Sequence, residues 1–67
     1  MELSARNQLA GTIKNVQTGT IMAEVTVDVG GQEVTAAITR ASVERLDLND
    51  GDSVTVFIKA TEVMIGK

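Results

Sequence analysis

Neither cysteine nor histidine occurs in this 67-residue chain. That removes disulfide staples and the ordinary zinc site together. It also leaves any serine or threonine nucleophile without an imidazole to activate it, so an enzyme is not expected. Phe57 is the sole aromatic residue, which leaves no platform for stacking single-stranded bases. Basic residues are scarce as well: six against nine acidic ones give a formal net charge of −3. Binders of nucleic acid draw their affinity from neutralised phosphates and advertise a basic stripe. No apolar run approaches the ~20 residues of a membrane-spanning helix. The opening Met1-Glu2-Leu3-Ser4 carries neither the basic nor the apolar region of a signal peptide. A cytoplasmic protein with no nucleic-acid and no membrane partner is expected.

The length bounds the fold. Residues 1–67 make a single domain, and a chain this short buries only about 60% of the surface its unfolded form exposes. Small scaffolds compensate with disulfides, a structural metal or oligomerisation. With the first two removed by composition, a homo-oligomer is expected.

Proline is absent too, so no strand is interrupted, and what fills the chain is period-two aliphatic pattern. Gln8 to Val16 reads as a first strand with Leu9, Gly11 and Ile13 on one face and Ala10, Thr12 and Lys14 on the other; Gly11 predicts a bulge or a close backbone approach. Gln17-Thr18-Gly19-Thr20 predicts a tight turn. Ile21, Ala23, Val25, Val27 and Val29 then place apolar residues at every odd position of a half-buried second strand. Gly30-Gly31 is a hairpin signal, and Gln32 to Ile38 returns with Val34, Ala36 and Ile38 inward.

Thr39 is placed to cap a short helix, Arg40 to Leu46, held by packing of Val43 and Leu46. Asn49-Asp50-Gly51-Asp52 is a turn by composition. Ser53 to Ile58 makes a fourth strand, and Glu62 to Ile65 carries Val63 and Ile65 at strand spacing as a short fifth. The expected fold class is all-β with one short helix: a five-stranded barrel of the OB type, with an open four-stranded sheet covered by the helix as its main competitor. Long regular edges favour strands shared between subunits.

Few residues could carry chemistry. Asp47, Asp50 and Asp52 around Gly51 lack the spacing of a calcium loop and read as a solvated turn. Gly30-Gly31 belongs to a hairpin, not to a phosphate-binding fingerprint. That leaves Ser4-Ala5-Arg6-Asn7-Gln8 near the start and Lys59-Ala60-Thr61 near the end, which between them offer a guanidinium, an ammonium and hydroxyls. Donors gathered on an otherwise apolar, acidic chain suit a small anion.

The wording around these donors resembles a known family. Ser4-Ala5-Arg6-Asn7-Gln8-Leu9, Ala37-Ile38-Thr39 and Lys59-Ala60-Thr61-Glu62-Val63-Met64-Ile65 are similar to the molbindins, small bacterial molybdate- and tungstate-binding proteins of the TOBE/Mop type. The resemblance spans essentially the whole chain. It implies an OB-like barrel, a dimer sharing strands, and a homo-hexamer built as a trimer of dimers. It also implies storage of molybdate or tungstate for intracellular homeostasis, without catalysis and without a cofactor. The main oxyanion site would fall on Ser4, Arg6, Thr39, Lys59 and Ala60, between subunits. A second site on the threefold axis would fall at Gly19, Thr20 and Ile21. No residue is expected to ligate a metal cation directly, since the metal enters as its oxyanion. The rival reading is a small oligomerising β-barrel that serves as an interaction module with no oxyanion ligand.

Overall fold

The alternating stretches form four antiparallel strands in one sheet of order β3-β2-β1-β4. The computed structural model describes residues 2–67; Met1, the first residue of the predicted domain, lies outside them. In chain order the elements are β1 (Asn7–Thr18), β2 (Met22–Val29), β3 (Gln32–Thr39), α1 (Arg40–Leu46) and β4 (Ser53–Ile58), followed by a single 3-10 turn at Ala60–Glu62.

β1 is the hub. Its first half, Asn7 to Thr12, pairs with β4, and its second half, Thr12 to Thr18, pairs with β2. Leu9, Gly11 and Ile13 face inward as their spacing predicts. The register then slips between Ile13 and Asn15, so the bulge is at Lys14 and Val16 takes the next inward place. Gly11 meets the other predicted condition, a close approach. A Cβ there would lie 2.6 Å from Val27 Cγ1 and 2.7 Å from the Asp28 carbonyl oxygen. A backbone oxygen held in a strand cannot step aside. Gly11→Ala is therefore expected to destabilise the fold by about 1–3 kcal/mol, read as a lower denaturant midpoint at unchanged slope.

The hairpin between β2 and β3 turns on Gly30 and Gly31, at φ +58° and +88°. Positive φ at both central residues matches the type I′ turn, whose twist suits flanking strands. Thr39 caps α1 as predicted: its Oγ1 accepts from the Ser42 backbone N–H at 3.1 Å. The helix closes on Asp47, which adopts the left-handed conformation while its own N–H and that of Leu48 reach back to Glu44 and Val43 carbonyls.

Ile13, Ala23, Val25, Val27 and Val43 form the buried core, with Val16, Val29, Ile38, Leu48, Val54 and Val56 packed against it. Three expectations are corrected by this packing. Ile21 is 72% exposed because β2 begins one residue later, and Leu46 is 59% exposed. The reversal at Asp47 brings Leu48, not Leu46, onto the core. The predicted fifth strand at Glu62 to Ile65 is not formed either. The chain makes the 3-10 turn instead, and Met64 and Ile65 are each 91% exposed, with no neighbouring strand to supply ladder partners.

The sheet is therefore open, the four-stranded competitor of the expected five-stranded barrel. β3 and β4 are its two edges, each paired on one side only. Between them runs an apolar groove of about 520 Å³, lined by Ile13, Val25, Ile38, Val54, Val56 and Phe57 among others. Among the described residues, no helix is long and apolar enough to cross a membrane.

Candidate functional site

Antiparallel pairing of β1 with β4 determines what lies near what. The last register pair at one end of the sheet is Asn7 with Ile58. Arg6 immediately precedes this pair and Lys59 immediately follows it, so two cations 53 positions apart in sequence sit at one corner of the sheet. Ser4 lies two residues ahead of Arg6 on the chain leading into β1, and Ala60 opens the turn that leaves β4. Arg6 and Lys59 are exposed. Among the described residues the ion pairs are Lys14–Glu33 and Arg40–Glu44, and neither involves this corner. Lys14 sits on the outer face, where the Glu33 carboxylate raises its pKa, first by hydrogen bonding and then by charge. That cation is already committed. The Arg6 and Lys59 side chains, by contrast, make no hydrogen bond or ion pair among the described residues.

The corner has local order of its own. The Ala60 and Thr61 N–H groups take no backbone partner, whereas those of Glu62 and Val63 return to Lys59 and Ala60 carbonyls. The Ala60 N–H is thus free of a backbone acceptor. Ahead of β1, the Gln8 side-chain amide donates to the Ala5 carbonyl at 2.7 Å. The Asn7 amide donates to the Ile58 carbonyl at 3.1 Å.

Thr39 is elsewhere. It pairs with Met22 at the far end of β3, the end of the sheet at which β1 finishes rather than starts. Within one chain, the length of β1 separates it from Arg6 and Lys59. Its hydroxyl accepts the Ser42 N–H and lies 2.8 Å from Ser42 Oγ. Register thus brings Arg6 and Lys59 to one corner, with Ala60 next in the chain, and leaves Thr39 apart. Beside it stands the Ser42 hydroxyl, three residues on in the capping turn.

The turn predicted to hold a second site is less open than expected. The Gly19 N–H donates to the Met22 carbonyl at 2.7 Å, and the Ile21 carbonyl accepts from Arg40 N–H at 2.8 Å. Gly19 is therefore spent in closing the turn, and the Thr20 and Ile21 N–H groups remain. The adjacent depression is lined by Gln17, Thr18 and Gly19 together with the Glu24 side of β2. Among the described residues, no group of three or more His, Cys, Asp or Glu is arranged to hold a metal ion.

Residues 3–65 match the family model for the TOBE domain. The chain belongs to the TOBE domain family. Its similarity to two known proteins extends over nearly the whole of both chains. Molybdenum-pterin-binding protein 1 of Clostridium pasteurianum is 44% identical over 66 residues, which is 97% of each chain. Among solved structures, a molybdate-binding protein from Sporomusa ovata superimposes with a TM-score of 0.95 at 48% identity, covering 100% of both chains. The cytoplasmic molybdate-binding protein ModG, solved with molybdate bound, gives a TM-score of 0.85 at 46% identity over 90% of this chain and 43% of its own. The four-stranded sheet and its single short helix thus have the same overall fold as the Sporomusa protein.

Proposed function

We propose that this TOBE protein binds molybdate or tungstate as the intact oxyanion, for intracellular storage and homeostasis and without catalysis. One observation carries the reading: strand pairing places Arg6 and Lys59 at one corner with no carboxylate partner among the described residues. Two like charges so placed attract a counter-anion. The Clostridium and Sporomusa relatives and ModG supply the chemical class, and ModG the cytoplasmic location.

A tetrahedral dianion has only acceptor oxygens, so the neighbouring polar groups must donate. Arg6 and Lys59 match its two charges, Ser4 adds a hydroxyl and Ala60 a backbone N–H. Charge-assisted hydrogen bonds contribute roughly 1.5–3 kcal/mol each, enough for micromolar or tighter binding after association costs. The chain's overall acidity is no obstacle, because the potential in a pocket is governed by its nearest charges. Sulfate carries the same charge and is discriminated by size. Phosphate is part-protonated near neutral pH, and its O–H would find no acceptor in an all-donor site.

The Thr39 and Ser42 hydroxyls complete the donor set from a second subunit, since β1 separates them from the corner of their own chain. Strand sharing supplies the contact. The tail Val63-Met64-Ile65 is apolar and exposed, and the groove between β3 and β4 is apolar and open. Laid against a free edge, the tail of one copy would act as the missing fifth strand of another, in a homo-hexamer built as a trimer of dimers. A backbone-built second site would use the Thr20 and Ile21 N–H groups. A bare interaction module would explain the tail and groove equally well, but not the paired cations.

Ligand that binds only the folded assembly stabilises it by mass action, about 2.7 kcal/mol at one hundred times the dissociation constant. The melting temperature is expected to rise clearly with saturating tungstate and to stay put with equal sulfate. Indifference to both would refute the reading.

A further inference from the structure

Two members of the opening motif, Asn7 and Gln8, have no role in the donor set, yet both side-chain amides are engaged. The Gln8 amide grips the Ala5 carbonyl at 2.7 Å, the oxygen of the peptide bond that leads into Arg6. The Asn7 amide grips the Ile58 carbonyl at 3.1 Å, the oxygen of the peptide bond that leads into Lys59. The two clamps are therefore matched, one behind each cation. We propose that Asn7 and Gln8 are positioning residues for the oxyanion site, holding the main chain at Arg6 and Lys59 in place before the anion arrives. This rests on the oxyanion reading given above.

The physical need is plain. Arg6 and Lys59 flank the same register pair and repel each other while the site is empty. Arg6 precedes the first ladder residue and Lys59 follows the last, so neither is held by strand hydrogen bonds of its own. An unclamped corner would splay to relieve the repulsion, and the anion would then have to gather its donors on binding. The clamps also engage two carbonyl acceptors beside the cations, whose negative ends would otherwise compete with the anion for donors. Asn7 ties β1 to β4 across the corner and Gln8 ties the entering chain to itself, so the two act on different sides of one site.

The test is calorimetric titration of the wild type, Gln8→Met, Asn7→Leu and Asn7→Gln with tungstate and with sulfate, beside ligand-free melting of each. Gln8 is exposed, so Gln8→Met removes the donor without disturbing packing, and it decides the matter if Asn7→Leu does not fold. Each loss of a clamp is expected to weaken tungstate binding roughly fivefold to tenfold. Sulfate should stay silent with every variant, the ligand-free melting temperature of Gln8→Met should not change, and Asn7→Gln should recover most of the affinity. Wild type that binds tungstate while Gln8→Met binds it within twofold would overturn the positioning role alone. Wild type silent toward tungstate would overturn the oxyanion reading, and this role with it.

Discussion

Arg6→Ala is expected to weaken tungstate binding by about 100-fold or more while leaving the ligand-free protein as stable as the wild type. The affinity part follows from chemistry. A guanidinium offers two parallel N–H donors to adjacent oxygens of a tetrahedral anion. Two charge-assisted hydrogen bonds at roughly 1.5–3 kcal/mol each amount to at least about two powers of ten in the dissociation constant. The stability part follows from the structure. Arg6 is exposed, precedes the first ladder residue, and its side chain has no partner among the described residues. Arg6→Lys should fall between the two, because it keeps the charge and loses the fork. Calorimetric titration and thermal melting of the three proteins check both parts. An Arg6→Ala protein with wild-type affinity would remove Arg6 from the site.

The second large effect concerns assembly. Deleting Val63–Lys67 is expected to abolish the proposed hexamer, with the sedimenting mass falling to that of small, poorly soluble species. Val63, Met64 and Ile65 are exposed on one chain, and burying side chains of this kind stabilises by roughly 1.5–3 kcal/mol each. Three such residues in a partner's groove contribute on the order of the 5–15 kcal/mol that holds a small domain together. The groove between β3 and β4, left uncovered, becomes an aggregation surface. If the shortened protein keeps the full mass and solubility, the tail is not the shared strand. Oxyanion binding should disappear with assembly, because Thr39 lies at the opposite end of its own sheet from Arg6.

How much of this was legible in the sequence depended on whether the cause was local. The valines of β2, the Gly30-Gly31 turn and the Thr39 cap are decided within a few residues, and their positions agree with expectation. Leu46 misled because helical spacing alone cannot show that Asp47 reverses the chain and delivers Leu48 to the core. Gly11 carried two meanings, and choosing between them needed Val27 and Asp28 from another strand. The tail misled most instructively. Val63 and Ile65 have strand spacing, but a strand requires a neighbour, and β4 turns away through Ala60–Glu62 before the tail begins. Arg6 and Lys59 were legible only through their motifs. Their shared corner is a product of register, and so are the clamps made by Asn7 and Gln8.

The most direct test of the central claim is calorimetric titration of the ligand-free wild-type protein with tungstate, beside sulfate at the same concentrations. Binding at inter-subunit oxyanion sites predicts saturable heat with tungstate, a whole number of ions per oligomer, and no heat with sulfate. No heat with either ion would contradict the account and leave the protein as a strand-sharing interaction module whose two cations are merely solvated.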